Sequence, residues 1–119
     1  MANYQLVVFG ASSFVGQLLT TYLYQRHGVG NDLDWAIAGR SPSKLEALRN
    51  SLGAAAAGLP IIVADANDEK ALRSLCRQTR VVASTVGPYA LFGSTLVKLC
   101  AQTGVDYYEL AGAPQWIAQ

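Results

Sequence analysis

Residues 5–16, Q-L-V-V-F-G-A-S-S-F-V-G, hold the pattern from which the rest of the chain can be placed. Positions 5–9 are a short apolar run rich in β-branched residues and closed by a glycine, which predicts a buried parallel strand. Four small residues follow, Gly10, Ala11, Ser12 and Ser13, whose backbone N–H groups can converge on one point. Phe14, Val15 and Gly16 then open a helix over 14–26, with Val15, Leu18, Leu19, Tyr22 and Leu23 expected to form its buried face. A small-residue turn feeding a helix N-terminus is an anion site, because unpaired amides and the positive end of the helix dipole both favour a phosphate. The spacing is G-x-x-x-x-x-G from Gly10 to Gly16, with Ser13 where a middle glycine would stand. The same residues would also serve a tight strand–helix turn that holds no ligand. The functional reading rests on context: the motif follows a strand, opens a helix and sits at the start of the chain.

Outward from this unit the alternation repeats. Further strands are expected over 34–38, 59–64, 80–85 and 106–110. Ser41 is a natural N-cap with Pro42 at the first helical position, and Leu45, Leu48 and Leu52 stripe the helix that follows. Residues 53–58 read as helix end plus loop. A third helix is expected over 68–79, capped by Asn67, with Ala71, Leu72, Leu75 and Cys76 on its apolar face. A fourth is expected over 94–102, ended by Gly104. His27, ahead of Gly28, suits a role at the C-terminal end of the first helix. Strand–helix alternation with right-handed crossovers predicts an α/β fold, a Rossmann-type doubly wound parallel sheet in one domain with strand order 3-2-1-4-5. Val7 and Val8 should then be fully buried. Ligands of such sheets bind outside the strand C-termini at the switch point, here between the first and fourth strands. The turns lining that crevice would be 10–16, 39–44, 65–66 and 86–89.

Composition narrows the function. The 119 residues are 51% apolar and only 14% charged, which suits a sheet covered on both faces or a surface that meets a partner. A net charge of +1 gives no steering toward nucleic acid or an anionic membrane. No apolar run approaches the roughly 20 residues that span a bilayer, and no charged signal-peptide start precedes one. Cys76 and Cys100 have no C-x-x-C spacing and read as reduced core residues of a cytoplasmic protein. No metal-ligand cluster is evident.

The runs V-V-F-G-A-S-S-F-V-G, A-G-R-S-P-S-K-L, A-D-A-N-D, T-V-G-P-Y-A-L-F-G and D-Y-Y-E-L-A-G together resemble the N-terminal domain of saccharopine dehydrogenase-like oxidoreductases, a group that includes trans-acting enoyl reductases. The resemblance covers nearly the whole chain. It implies an NAD(P)-binding domain of a longer oxidoreductase, whose C-terminal domain completes the substrate site and is missing here. The family usually writes G-A-S-G-F-T-G at the turn, whereas this chain has Ser13 and Val15. After the fifth strand the family tends to D-L-T-G-E, and this chain has Glu109-Leu110-Ala111-Gly112-Ala113.

On that reading the phosphates meet Gly10, Ala11, Ser12, Ser13, Phe14, Val15 and Gly16 through amides or hydroxyls, although the serines would equally serve as helix caps. Arg40 stands at the tip of the second strand, where an NAD enzyme carries an acidic residue. With Ser41 beside it and Lys44 one turn on, it favours a 2′-phosphate, hence NADP with NAD as second choice; a solvated basic helix start is the plainer alternative. Asp65 and Ala66 would border the adenine, or Asp65 would cap the turn. Val86, Gly87, Pro88 and Tyr89 would run along the nicotinamide-side ribose. No catalytic residue can be assigned, and the chain alone is expected to lack turnover. Trp116 and Ile117, with the apolar composition, lead us to expect docking with the missing domain or a second copy. A nucleotide-sensing or protein-interaction module without hydride chemistry is the reading from a different class.

Overall fold

The computed structural model describes residues 3–65, 67–85 and 91–109, with the side chains of 91–94 and 109 excepted. Five strands, β1 (Tyr4–Phe9), β2 (Trp35–Gly39), β3 (Ile61–Val63), β4 (Thr79–Ser84) and β5 (Asp106–Glu109), alternate with four helices. The helices are α1 (Phe14–His27), α2 (Pro42–Leu52), α3 (Glu69–Arg77) and α4 (Leu91–Thr103). The sheet is ordered β3-β2-β1-β4-β5 and every pairing is parallel. The expected topology is therefore present, and Val7 and Val8 are fully buried at its centre.

Because side chains alternate across a strand, β1 feeds two cores. Val7 and Phe9 join Ala36, Ala38 and Val82 under Leu72, Leu75, Leu96 and Leu99, the inward residues of α3 and α4. Val8 joins Trp35 and Ile37 under Leu23, Leu45 and Leu48 of α1 and α2. Each fully buried Leu or Ile contributes about 1.5–3 kcal/mol through the area it removes from water.

Several boundaries differ from expectation for local reasons. Asp68, not Asn67, caps α3, its Oδ1 accepting from the Ala71 amide at 3.1 Å. Asn67 instead donates its amide to Asp65 Oδ1 at 2.9 Å, a side-chain turn that occupies the position before the cap. Thr79 does not end α3. It is buried and opens β4, consistent with a β-branched residue preferring the pleated surface. The alanine-rich spacer holds a short 3₁₀ turn, Ala54–Ala56, whose last residue is buried. His27 is the last residue of α1, and its Nδ1 lies 3.0 Å from Asp32 Oδ2. That hydrogen bond holds the Asp32 carboxyl below its ordinary value.

The largest difference concerns α1. Its buried residues are Gly16, Thr20 and Leu23, with Leu19 packed partly against the core. Leu18 and Tyr22, expected inside, are 57% and 53% exposed, and Phe14 is 78% exposed. Close approach decides the matter, since an ideal Cβ on Gly16 would lie 2.2 Å from the Gly10 carbonyl oxygen. The helix turns its smallest residue to the sheet and its apolar i, i+4, i+8 row outward.

Candidate dinucleotide site

The turn after β1 is built by hydrogen bonds rather than by glycines alone. The Gly10 and Ala11 amides both donate to the Ala38 carbonyl, at 2.9 and 3.1 Å, which hangs the turn from the end of β2. Gly10 has φ 79°, a left-handed value that a side chain would strain, so a glycine is required there. Ser13 has φ −70° and ψ 167°, extended values open to any residue, which explains how a serine replaces the middle glycine. It is the N-cap of α1. Its Oγ accepts from the Gly16 amide at 3.0 Å and donates to Thr85 Oγ1 at 2.9 Å. Thr85 Oγ1 in turn donates to the Gly10 carbonyl at 2.7 Å. The chain Ser13–Thr85–Gly10 thus bolts the end of β4 to the turn across the switch point. With Ser13 committed to the cap, the first-turn amides of Phe14 and Val15 are those left without an intrahelical acceptor.

The tip of β2 supplies the opposite wall. Gly39 ends the strand, Arg40 is exposed, and Ser41 caps α2 by accepting from the Lys44 amide at 3.3 Å. Pro42 follows at the first helical position, where its missing N–H costs nothing. A cavity of about 360 Å³ joins these parts. It brings Gly10, Ser12 and Ser13 together with Arg40, Ser41, Lys44 and Asp65, all named from the sequence. Phe9, Gly39, Ala64, Asn67 and Thr85 also line it. Of these, Thr85 was legible as the last residue of the strand beside the switch point, but its hydroxyl bridge was not. Ala11 is fully buried in the core, and Phe14, Val15 and Gly16 border the turn without lining the cavity. Ala66, Val86, Gly87, Pro88 and Tyr89 lie outside the described residues, as do the 110–119 departures from the family pattern. Among the described residues no three His, Cys, Asp or Glu side chains gather into a metal-holding group. None of the helices there is long and apolar enough to cross a membrane.

Residues 6–115 match the family described as the saccharopine dehydrogenase NADP binding domain. The chain belongs to that family. It is 40% identical to a lipid droplet localized protein of Caenorhabditis elegans, over 98% of this chain and 28% of that protein. It is 39% identical to a trans-acting enoyl reductase of Mycobacterium ulcerans, over 92% of this chain and 26% of that one. The chain therefore spans little more than a quarter of the length of these curated relatives. An NADPH-dependent quinone oxidoreductase of Escherichia coli, solved with NADPH, shares the fold with a TM-score of 0.67. Identity there is 20%, covering 85% of this chain and 34% of the other. As a saccharopine dehydrogenase-type domain it binds NADP, and the residues present fit that group. A glycine with positive φ, an α1 N-terminus with open amides, and the cations of Arg40 just after β2 and Lys44 in the first turn of α2 are the donor set that a pyrophosphate and a 2′-phosphate need.

Proposed function

We propose that the domain holds NADP(H) across the C-terminal edge of its sheet, as the cofactor half of an oxidoreductase. The pyrophosphate sits on turn 10–16, the 2′-phosphate lies between Arg40, Ser41 and Lys44, and the adenine lies beside Asp65. The observation that carries this assignment is the single cavity uniting the glycine turn with the cationic tip of β2. Arg40 presents a planar fork that can bond the phosphate and stack on the adenine at once. The α2 N-terminus beside it adds its dipole. Asp65 keeps carboxylate acceptor capacity for the adenine amino group beyond the bond from the Asn67 amide. When bound, the nicotinamide would supply or take up hydride. A further domain of the full-length protein completes the substrate site, and this chain alone has no turnover. Kinship with a trans-acting enoyl reductase supports a reductase role for the whole protein.

Calorimetric titration with NADPH and NADH tests the assignment. Charge-assisted hydrogen bonds are worth about 1.5–3 kcal/mol, so Arg40→Ala should weaken NADPH by roughly 10- to 150-fold and leave NADH nearly unchanged. Equal loss for both cofactors would show that Arg40 does not read the 2′-phosphate.

A further inference from the structure

At the opposite end of the sheet from the cofactor cavity, the two cysteines of the chain meet. Cys76 is in the last turn of α3 and Cys100 is near the end of α4, and their Sγ atoms are 3.6 Å apart in the core between the helices. Both are free thiols, about 1% exposed as whole residues. Cys76 also borders a surface depression with Arg77, Thr79, Arg80 and Thr103, beside the first residues of β4 and β5. Cys100 does not line it. Cys76 is therefore the residue of the pair that borders the surface, with the Cys100 sulfur 3.6 Å from its own. Apolar packing would explain two buried cysteines, but it does not require them to touch each other.

We propose that Cys76 and Cys100 are a peroxide-responsive dithiol that closes into a disulfide tying α3 to α4. The asymmetry of the pair suits such chemistry. The hydrogen bond from Cys100, helped by Thr103 and by the charge of Arg73, holds the Cys76 thiol below its ordinary value. The same hydrogen bond, together with burial, pushes the Cys100 thiol up. Cys76, the one of the pair that borders the depression, is thus assigned as the nucleophile and Cys100 as the resolving thiol. The Cys76 thiolate attacks one peroxide oxygen, the O–O bond breaks, and hydroxide leaves to be protonated to water. Cys100 sulfur then attacks the Cys76 sulfenic acid, the S–O bond breaks, and a second water departs with the Cys100 proton. Two thiols and one hydrogen peroxide become one disulfide and two waters. A reducing thiol reverses the bond.

The test is thiol counting on the reduced chain, before and after hydrogen peroxide, with an alkylating label added under denaturing conditions and the intact mass read. Oxidation should remove two hydrogens and take the label count from two to none, and a reducing thiol should restore both. In Cys100→Ser, peroxide should leave Cys76 as a sulfenic acid that dimedone traps, whereas in Cys76→Ser the remaining Cys100 should still take the label. Wild-type protein that keeps two labels after peroxide, or that forms the bond only between molecules on a non-reducing gel, overturns the proposal. That wild-type measurement does not depend on either serine variant folding.

Discussion

The two faces of the sheet are finished differently. Under α3 and α4, one continuous cluster runs from Ala64 through Phe9 and Val82 to Val105, with Leu72, Leu75, Leu96 and Leu99 inserted almost without exposure. Under α1 and α2 the cluster is as tight over β1 and β2, where Val8, Ile37 and Leu45 are fully buried. Toward β4 and β5 that second face thins out. Tyr108, paired in register with Ala83, is 61% exposed. On α1, Gln17 shares a surface depression with Lys44 and Leu48 of α2, while Leu18 and Tyr22 lie on the side of the helix opposite its buried Gly16, Thr20 and Leu23. An apolar helix row can therefore be a core face or an outer face. The helix sequence alone does not say which.

The largest contrast lies in the closed core. Leu75→Ala on α3 should destabilise the domain by about 2–5 kcal/mol, the range for a buried Leu whose cavity cannot collapse, as read by chemical denaturation. If it costs under about 1 kcal/mol, the face beneath α3 is not the well-packed one. Next comes the seam between α1 and the turn. Gly16→Ala places a methyl against the Gly10 carbonyl, and overpacking against backbone costs about 1–3 kcal/mol, occasionally more. Because the shift would move the N-terminus of α1, NADPH affinity should fall with stability. Intact affinity in a folded Gly16→Ala protein would show that the close approach is not needed for the site.

Much of this was legible in sequence because it is local. The strand–turn–helix order, the Ser41-Pro42 cap and the Gly10 turn each depend on residues within one turn of chain. Those features placed the sheet order and the cavity's main residues, Arg40 and Ser13 included. What escaped depends on distant partners or on competition between neighbours. The Thr85 hydroxyl matters only because β4 ends beside Gly10, 75 residues away in the chain. Asn67 and Asp68 are both good caps, and the loser is set by Asp65 drawing the Asn67 amide. On α1, hydrophobicity pointed to Leu18 and Tyr22. Steric access at Gly16 and Thr20 overruled it, since small residues let backbone approach backbone.

The smallest expected effect is the most diagnostic of the open flank. Leu18→Ser and Tyr22→Ser each remove apolar surface that is already more than half in water. Neither leaves a cavity in the cores that hold the sheet. Tyr22 has one further contact, the Arg26 guanidinium 5.6 Å from its ring centre, worth about 0.5–1 kcal/mol at an exposed site. Leu18→Ser should therefore stay within about 0.5 kcal/mol of wild type, with Tyr22→Ser slightly worse and neither changing NADPH affinity. A loss comparable to Leu75→Ala, in denaturation of this same chain, would mean that the row is covered in solution by residues outside those described or by a second copy. Dilution separates these two: a cost that shrinks as protein concentration falls belongs to a copy, and one that does not belongs to the chain itself.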